Sequence, residues 1–223
     1  MKTAILNDYA TPVTVTDIAL PAMPDDSVMI EVHASSVNPV DNLVRAGYPK
    51  AMLPIKFPYV MGNDVSGIVT AVVKGATRFS VGDAVITRPN GMKSGTFAEY
   101  IAVKEQDVAA KPSSLSHEQA ALLPLVALTA WQALVSKAKL QAGQTGLIHA
   151  GSGGAGSMAI QIAKHLGATV VATTSTDNVA MVKALGADQV IDYKTRDFAA
   201  LVNDCDVVLD TLGGSTRTKS FSV

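Results

Sequence analysis

The residues best placed to do chemistry are the glycines of Gly146-Leu147-Ile148-His149-Ala150-Gly151-Ser152-Gly153-Gly154-Ala155-Gly156. An apolar, strand-like piece runs directly into G-x-G-x-x-G at Gly151, Gly153 and Gly156. Met158, Ile160, Ile162, Ala163 and Leu166 follow in a helical pattern. Gly167 closes that helix, and Thr169-Val170-Val171-Ala172-Thr173 reads as a second strand. A strand, tight turn, helix and strand within about thirty residues is the setting in which this spacing binds a dinucleotide. The first glycine is expected to make the turn, and the second to let backbone approach a pyrophosphate. Gly154 and Ala155 complete the loop, and Gly156 lets helix and strand pack closely. The helix N-terminus adds free N–H groups and a positive dipole end. The bland alternative is a structural turn of small residues. A P-loop is excluded because Ser157-Met158 follows Gly156, and no G-x-S-x-G elbow is spelled.

The choice of dinucleotide is read at the end of the second strand. An acidic residue there, about twenty residues after the first glycine, holds the ribose hydroxyls of NAD. This chain has Thr173-Thr174-Ser175-Thr176, small hydroxyls that leave room for a 2′-phosphate and can donate to it. Asp177 stands where a helix cap belongs. NADPH is therefore expected over NADH. Thr174, Ser175 and Tyr193 are the residues assigned to it, with Lys194 or Arg196 assisting or remaining ordinary solvated charge.

The elements that position these residues fall into two parts, expected at 1–115 and 116–223. The first looks strand-rich, with runs at 28–32, 66–73 and 83–86. Turn signals separate them at Pro24-Asp25-Asp26, Lys74-Gly75, Val81-Gly82-Asp83 and Asn90-Gly91. Short strands at this spacing suggest a compact, partly open β-barrel. Ser116 with Gln119 spells a capping box for a helix that Pro124 must kink or break, continuing from Leu128 to Lys137. Strands are expected at 146–150, 169–174, 189–193 and 206–211 with helices between, which argues for a parallel, doubly wound α/β sheet.

Composition bounds the reading further. The chain of 223 residues is 48% hydrophobic and 17% charged, as suits a folded α/β protein. A net charge of −1 gives no footprint for nucleic acid or an anionic membrane. The one cysteine, Cys205, excludes an internal disulfide framework, fits a reducing cytoplasm and reads as a small packing residue. No secretory signal is visible, and the apolar stretch 120–135 contains Pro124, Thr129 and Gln132, so it reads as a buried helix rather than a membrane span.

Several blocks together resemble one family. Asn38-Pro39-Val40-Asp41 with Arg45-Ala46-Gly47-Tyr48 is similar to the N-P-V-D…R-x-G signature of quinone oxidoreductases, in the medium-chain dehydrogenase/reductase superfamily. Pro58 to Gly67, Val81 to Val85, Gly95 to Tyr100, Leu128 to Trp131, Leu185 to Asp188 and Asp210 to Gly214 extend the likeness in order. The resemblance implies a GroES-like β-barrel domain followed by a Rossmann sheet, and hydride transfer from NADPH to a quinone, enone or similar activated carbonyl. Zinc members of the superfamily carry a Cys where Asn38 stands and His-Glu where Asn63-Asp64 stand. Amides are poor zinc ligands beside thiolate and imidazole, so no zinc is expected. His33, His117, His149 and His165 show no metal spacing and read as packing or surface residues.

Without a Lewis acid, the developing enolate or phenolate oxygen needs a hydrogen-bond donor. Asn38 and Tyr48 are the candidates, with water as an alternative proton source, and Asp41 is expected to orient its neighbours. The alternatives are structural: Asn38 satisfying a turn and Asp41 capping a helix. By the resemblance, Thr129 lies near the nicotinamide carboxamide; its alternative is a hydroxyl bonded to its own helix. The sheet is expected to be partial, four strands against the six of a complete dinucleotide fold, so that 207–209 forms an open edge. A homo-oligomer is compatible with that edge. A second function class follows from the same observation: a truncated, non-catalytic nucleotide-binding or interaction protein.

Overall fold

The computed structural model describes residues 1–52, 54–89 and 95–223. The Asn90-Gly91 turn expected from the sequence lies outside these. The described residues divide into two compact units, Met1–Leu125 and Val126–Val223.

The first unit is antiparallel. Strands β1 (Lys2–Leu6), β2 (Thr14–Asp17), β3 (Ser27–Ala34), β4 (Tyr59–Val60), β5 (Val65–Val72), β6 (Ala84–Thr87), β7 (Tyr100–Lys104) and β8 (Val108–Ala110) form two sheets. Their orders are β2-β1-β4 and β7-β3-β5-β6-β8, joined by a bridge between Thr3 and Ala98. Alternation decides which face is inside: Val28 and Ile30 on β3, Val65 and Val69 on β5, Val85 on β6 and Ile101 and Val103 on β7 make one buried cluster. The β3–β5 pair changes register between Met29 and Ile30 and between Val32 and Ala34, which bends the ladder. Helix α1 (Pro39–Arg45) starts with proline at its first position, where the missing N–H costs nothing.

Ser116 and Gln119 close the expected capping box reciprocally, at 3.2 and 3.0 Å, and begin α2 (His117–Ala120). Pro124 does break the helix, and α3 (Pro124–Trp131) restarts at it and passes into a wider π-helical turn over Gln132–Lys137. The expectation that this stretch is buried is corrected here. Ala130 and Leu134 are buried, but Leu122 is 60% exposed, Leu128 42% and Trp131 48%. His117–Lys137 is long and apolar enough to cross a membrane by length and composition alone.

The second unit is a parallel sheet in the order β11-β10-β9-β12. Its strands are β9 (Thr145–Ile148), β10 (Thr169–Thr174), β11 (Gln189–Asp192) and β12 (Val207–Leu209). Side chains alternate between two buried faces. Ile148, Val170 and Ala172 face α4 (Gly154–His165) and α5 (Val179–Ala184), while Leu147, Val171 and Ile191 meet Phe198 and Val202 on the other side. Helices on the first face follow from right-handed crossovers between β9, β10 and β11. The chain ends in the short helix α6 (Gly214–Ser220).

Candidate functional site

In the second unit the glycine loop sits at the C-terminal end of β9, where parallel sheets bind ligands. The left-handed residue of its turn is Ala150, with φ 52°, and not Gly151. Gly151 instead serves packing: a Cβ there would lie 3.1–3.3 Å from side-chain atoms of Ala172, Ile160 and Val182. Gly156 is the tightest point, because a Cβ would stand 2.9 Å from the Ala150 carbonyl carbon and the Gly151 Cα, and nearer still to the Ala150 oxygen. Gly153 is exposed, has φ −76° and caps α4; its N–H donates to the Ala150 carbonyl and its carbonyl accepts from Ser157 N–H, while its missing Cβ keeps the helix start approachable. Gly154 is also exposed and Ala155 half-buried in the first turn.

The loop is tied to its neighbours by short polar bonds. The Thr174 hydroxyl donates to Ser152 Oγ at 3.0 Å, joining the end of β10 to the glycine loop. Asn178 Nδ2 donates to Ser175 Oγ at 3.1 Å, and Tyr193 N–H donates to the Thr174 carbonyl. Thr174 is buried, Ser175 half-buried and Tyr193 57% exposed. The sequence reading missed Asp192. In the parallel register Asp192 lies opposite Thr174, and its carboxylate accepts from Thr176 Oγ1 at 2.7 Å and from Lys194 N–H at 3.0 Å. The Thr176 hydrogen bond holds this carboxyl below the usual carboxylate range.

His149 and Thr173 point to the opposite sheet face from Thr174, as alternation requires. They line a cleft of about 530 Å³ together with Tyr193, Lys194, Arg196 and Lys219. His149 is a buried packing residue with both ring nitrogens engaged: Nδ1 lies 3.0 Å from Thr173 Oγ1 and Nε2 3.0 Å from Ser220 Oγ. Ser220 donates its hydroxyl to the Thr216 carbonyl, so its oxygen must accept from His149 Nε2–H. Nδ1 is then the acceptor for Thr173. The Phe198 ring meets this imidazole edge-on at 4.5 Å. Burial lowers the His149 pKa. The unfolded chain therefore takes up a proton first as pH falls below about 6.5, and stability is lost from there down through the lowered folded value. Substituting His149→Gln should flatten the slope of unfolding free energy between pH 5 and 7, measured by urea titration; an unchanged slope would assign that slope to other groups. Thr129 lies at an exposed position of α3.

In the first unit, Asn38 and Asp41 come together at the start of α1. Asp41, buried, accepts from Asn38 N–H at 2.7 Å and from Asn63 Nδ2 at 2.7 Å, which is the capping and orienting role. Asn38 donates from Nδ2 to Asp64 Oδ2 at 2.7 Å and to Ser36 Oγ at 3.1 Å. Both amide hydrogens are thereby engaged within the protein, as the structural alternative for Asn38 has it. Asp64, with no exposed surface, also accepts from Ser36 Oγ and, at 2.7 Å, from Leu125 N–H. Burial pushes its carboxyl pKa up, against the pull of those donors. Gly62, at φ 98°, makes the turn that delivers Asn63 and Asp64. Tyr48 stands apart from this network, 82% exposed, with its backbone bonded to Leu43.

Cys205 is half-buried, and burial raises its thiol pKa, so it is not an activated nucleophile. The His33 and His117 rings meet at a tilt of 40° with centroids 4.6 Å apart, and Ser66 Oγ lies 2.8 Å from His117 Nδ1.

An antiparallel β unit followed by a parallel, Rossmann-type sheet with a glycine-rich turn is the architecture of alcohol-dehydrogenase-like proteins. Residues 24–113 match the model of the alcohol dehydrogenase GroES-like domain, and 154–223 that of zinc-binding dehydrogenase. The chain is 40% identical over 212 residues to NAD(P)H oxidoreductase RTN4IP1, mitochondrial, of Bos taurus, covering 86% of this chain and 54% of that protein. It is 38% identical over 224 residues to the NADPH-dependent alkenal/one oxidoreductase, chloroplastic, of Arabidopsis thaliana, covering 96% and 58%. The crystal structure of the quinone oxidoreductase from Coxiella burnetii superposes with a TM-score of 0.87 at 35% identity, over 99% of this chain and 71% of that one. The chain belongs to the medium-chain dehydrogenase/reductase superfamily, in its quinone oxidoreductase branch. It spans a little over half the length of these two curated relatives.

Proposed function

We propose that this protein is a zinc-independent, NADPH-dependent reductase of quinones or enones, with residues up to about 115 serving substrate and the rest the cofactor. The observation that carries the cofactor half is the glycine cradle. Gly156 lets α4 start against the Ala150 backbone, and exposed Gly153, with no Cβ, leaves the first turn of α4 approachable by a pyrophosphate. Bound NADPH would supply a hydride. Residues Gly151 to Gly156 would hold its phosphates, Thr129 its carboxamide end, and Ser175 and Tyr193 its 2′-phosphate. The absence of an acid at the end of β10 supports NADPH over NADH.

The residues at the zinc positions do not fit zinc. Asn38 and Asn63 are amides whose nitrogens donate to Asp64 and Asp41, and those bonds turn the side chains into carboxylate partners. With Asn38 committed, the proton for the reduced product comes from Tyr48 or from water, and Asn38 and Asp41 act by holding the start of α1. The single cysteine supports a reducing compartment, the cytoplasm in this reading.

The test is a fluorescence titration of NADPH, with NADH as control, followed by turnover of a simple quinone and an enone with and without a chelator. NADPH should bind with at least about tenfold preference, and turnover should survive chelation. Loss of turnover on chelation, restored by zinc, would refute zinc independence. Cofactor binding without turnover of either substrate class would favour a nucleotide-binding interaction protein.

A further inference from the structure

Three loops meet at the C-terminal edge of the parallel sheet, and one side chain ties two of them together. The loop after β10 carries Ser175 and Thr176; the loop after β11 carries Tyr193, Lys194 and Arg196. Asp192 ends β11, directly opposite Thr174. One carboxylate oxygen accepts from the Thr176 hydroxyl across the strands, and the other accepts from Lys194 N–H in its own loop. The Asp192 carbonyl accepts from the N–H groups of Thr195 and Arg196, so the whole 193–196 turn is wound around this residue. On the other flank, Thr174 reaches the glycine loop through Ser152. The bonds thus run from the glycine loop, through the end of β10, to the cationic loop.

We propose that Asp192 is a positioning residue for recognition of the cofactor's 2′-phosphate: it fixes the spacing between the Ser175 loop and the Tyr193–Arg196 loop. This rests on the dinucleotide reading above. Without the carboxylate the carbonyl bonds of the turn remain, but Thr176 Oγ1 and Lys194 N–H lose the acceptor that ties the two loops together, and the cost of ordering their spacing would fall on the binding step. NADH lacks the 2′-phosphate and is indifferent to that spacing. The ionised carboxylate has no hydrogen to donate to a phosphate, so its part is to hold the protein donors Thr176 and Lys194 N–H.

The experiment measures Kd for NADPH and for NADH by fluorescence titration, on the full chain, for the wild type, D192A, D192N and T176V. Thr176 is exposed, so T176V removes one of the two carboxylate bonds with little effect on folding. D192A should weaken NADPH at least about tenfold while NADH changes less than about threefold. T176V should show the same split at smaller size, and D192N, which keeps an acceptor oxygen, should recover most of the loss. Equal weakening of both cofactors would overturn the proposal, because a merely structural role has no reason to spare NADH. Tighter NADPH binding in D192N would overturn it too, by showing that the carboxylate acts through repulsion. A wild type that binds neither cofactor would sink the dinucleotide reading, and the inference with it, before any variant is compared.

Discussion

Replacing Gly156 with alanine is expected to weaken cofactor binding roughly a hundredfold and to cost the parallel-sheet unit about 3 kcal/mol, the upper end of overpacking effects. The new methyl would be forced into the backbone of Ala150 and Gly151, which cannot rotate away as a side chain could. To relieve the clash, α4 must back off from β9, dragging Ile160 and Ala163 out of the core they share with Val170 and Ala172. The same shift moves the first N–H groups of α4 away from a bound phosphate. Losing two charge-assisted hydrogen bonds at about 1.5 kcal/mol each corresponds to roughly a hundredfold weaker binding. Gly153→Ala separates the two consequences. Its φ of −76° suits alanine, and a Cβ would meet only the Ala150 oxygen at 3.3 Å. Stability should change by less than about 1 kcal/mol, while NADPH affinity falls because the methyl stands where the pyrophosphate approaches. Thermal unfolding and cofactor titration on both variants check this. A Gly153→Ala variant that binds NADPH like the wild type would move the phosphate seat elsewhere.

The glycine loop was legible because its meaning is local. Strand, turn and helix are consecutive, and the 169–174 strand has the observed bounds of β10. The expected ends of the other sheet strands differ from the observed ones by two residues at most, at the positions where ladders fray. The details that a sequence does not show are those that depend on distant partners. The Asn38 amide has an acceptor in Asp64, 26 residues away in sequence, that no local pattern announces. Asp192 was invisible to a search along β10 for an acid, because parallel pairing brings it alongside Thr174 from the next strand but one element later. The turn's left-handed residue was assigned to a glycine by rule, whereas Ala150 carries it, and the glycines are used for close approach. The run 117–137 reads as buried on hydropathy alone, but hydropathy does not say how much of a helix finds a partner, and Trp131 and Leu122 remain half-exposed or more.

Asp64→Ala is expected to be strongly destabilising to the first unit, at about 3–5 kcal/mol for three stranded donors. It would strand three donors in a buried space: Ser36 Oγ–H, Asn38 Nδ2–H and Leu125 N–H. Each unpaired group carries its own desolvation cost at a residue with no exposed surface. Asp64→Asn should cost less, about 1–3 kcal/mol, since its oxygen can still accept while its amide faces a donor. The pH dependence separates charge from shape. Burial raises the Asp64 pKa, so the folded state holds this proton more tightly than the unfolded chain does. That contribution is fully present below the unfolded value, near 4, and is lost as pH rises through the raised folded value. Asp188 and Asp197 carry the opposite sign, because hydrogen bonds from Lys164 and Lys219 lower their pKa values; their contributions are lost as pH falls. Subtracting the Asp64→Asn profile from that of the wild type cancels those groups. The remaining difference should favour the wild type most at low pH and shrink as pH rises. A difference that grew with pH would mean that the ionised carboxylate is the favoured form, and that its three donors outweigh the cost of burying it.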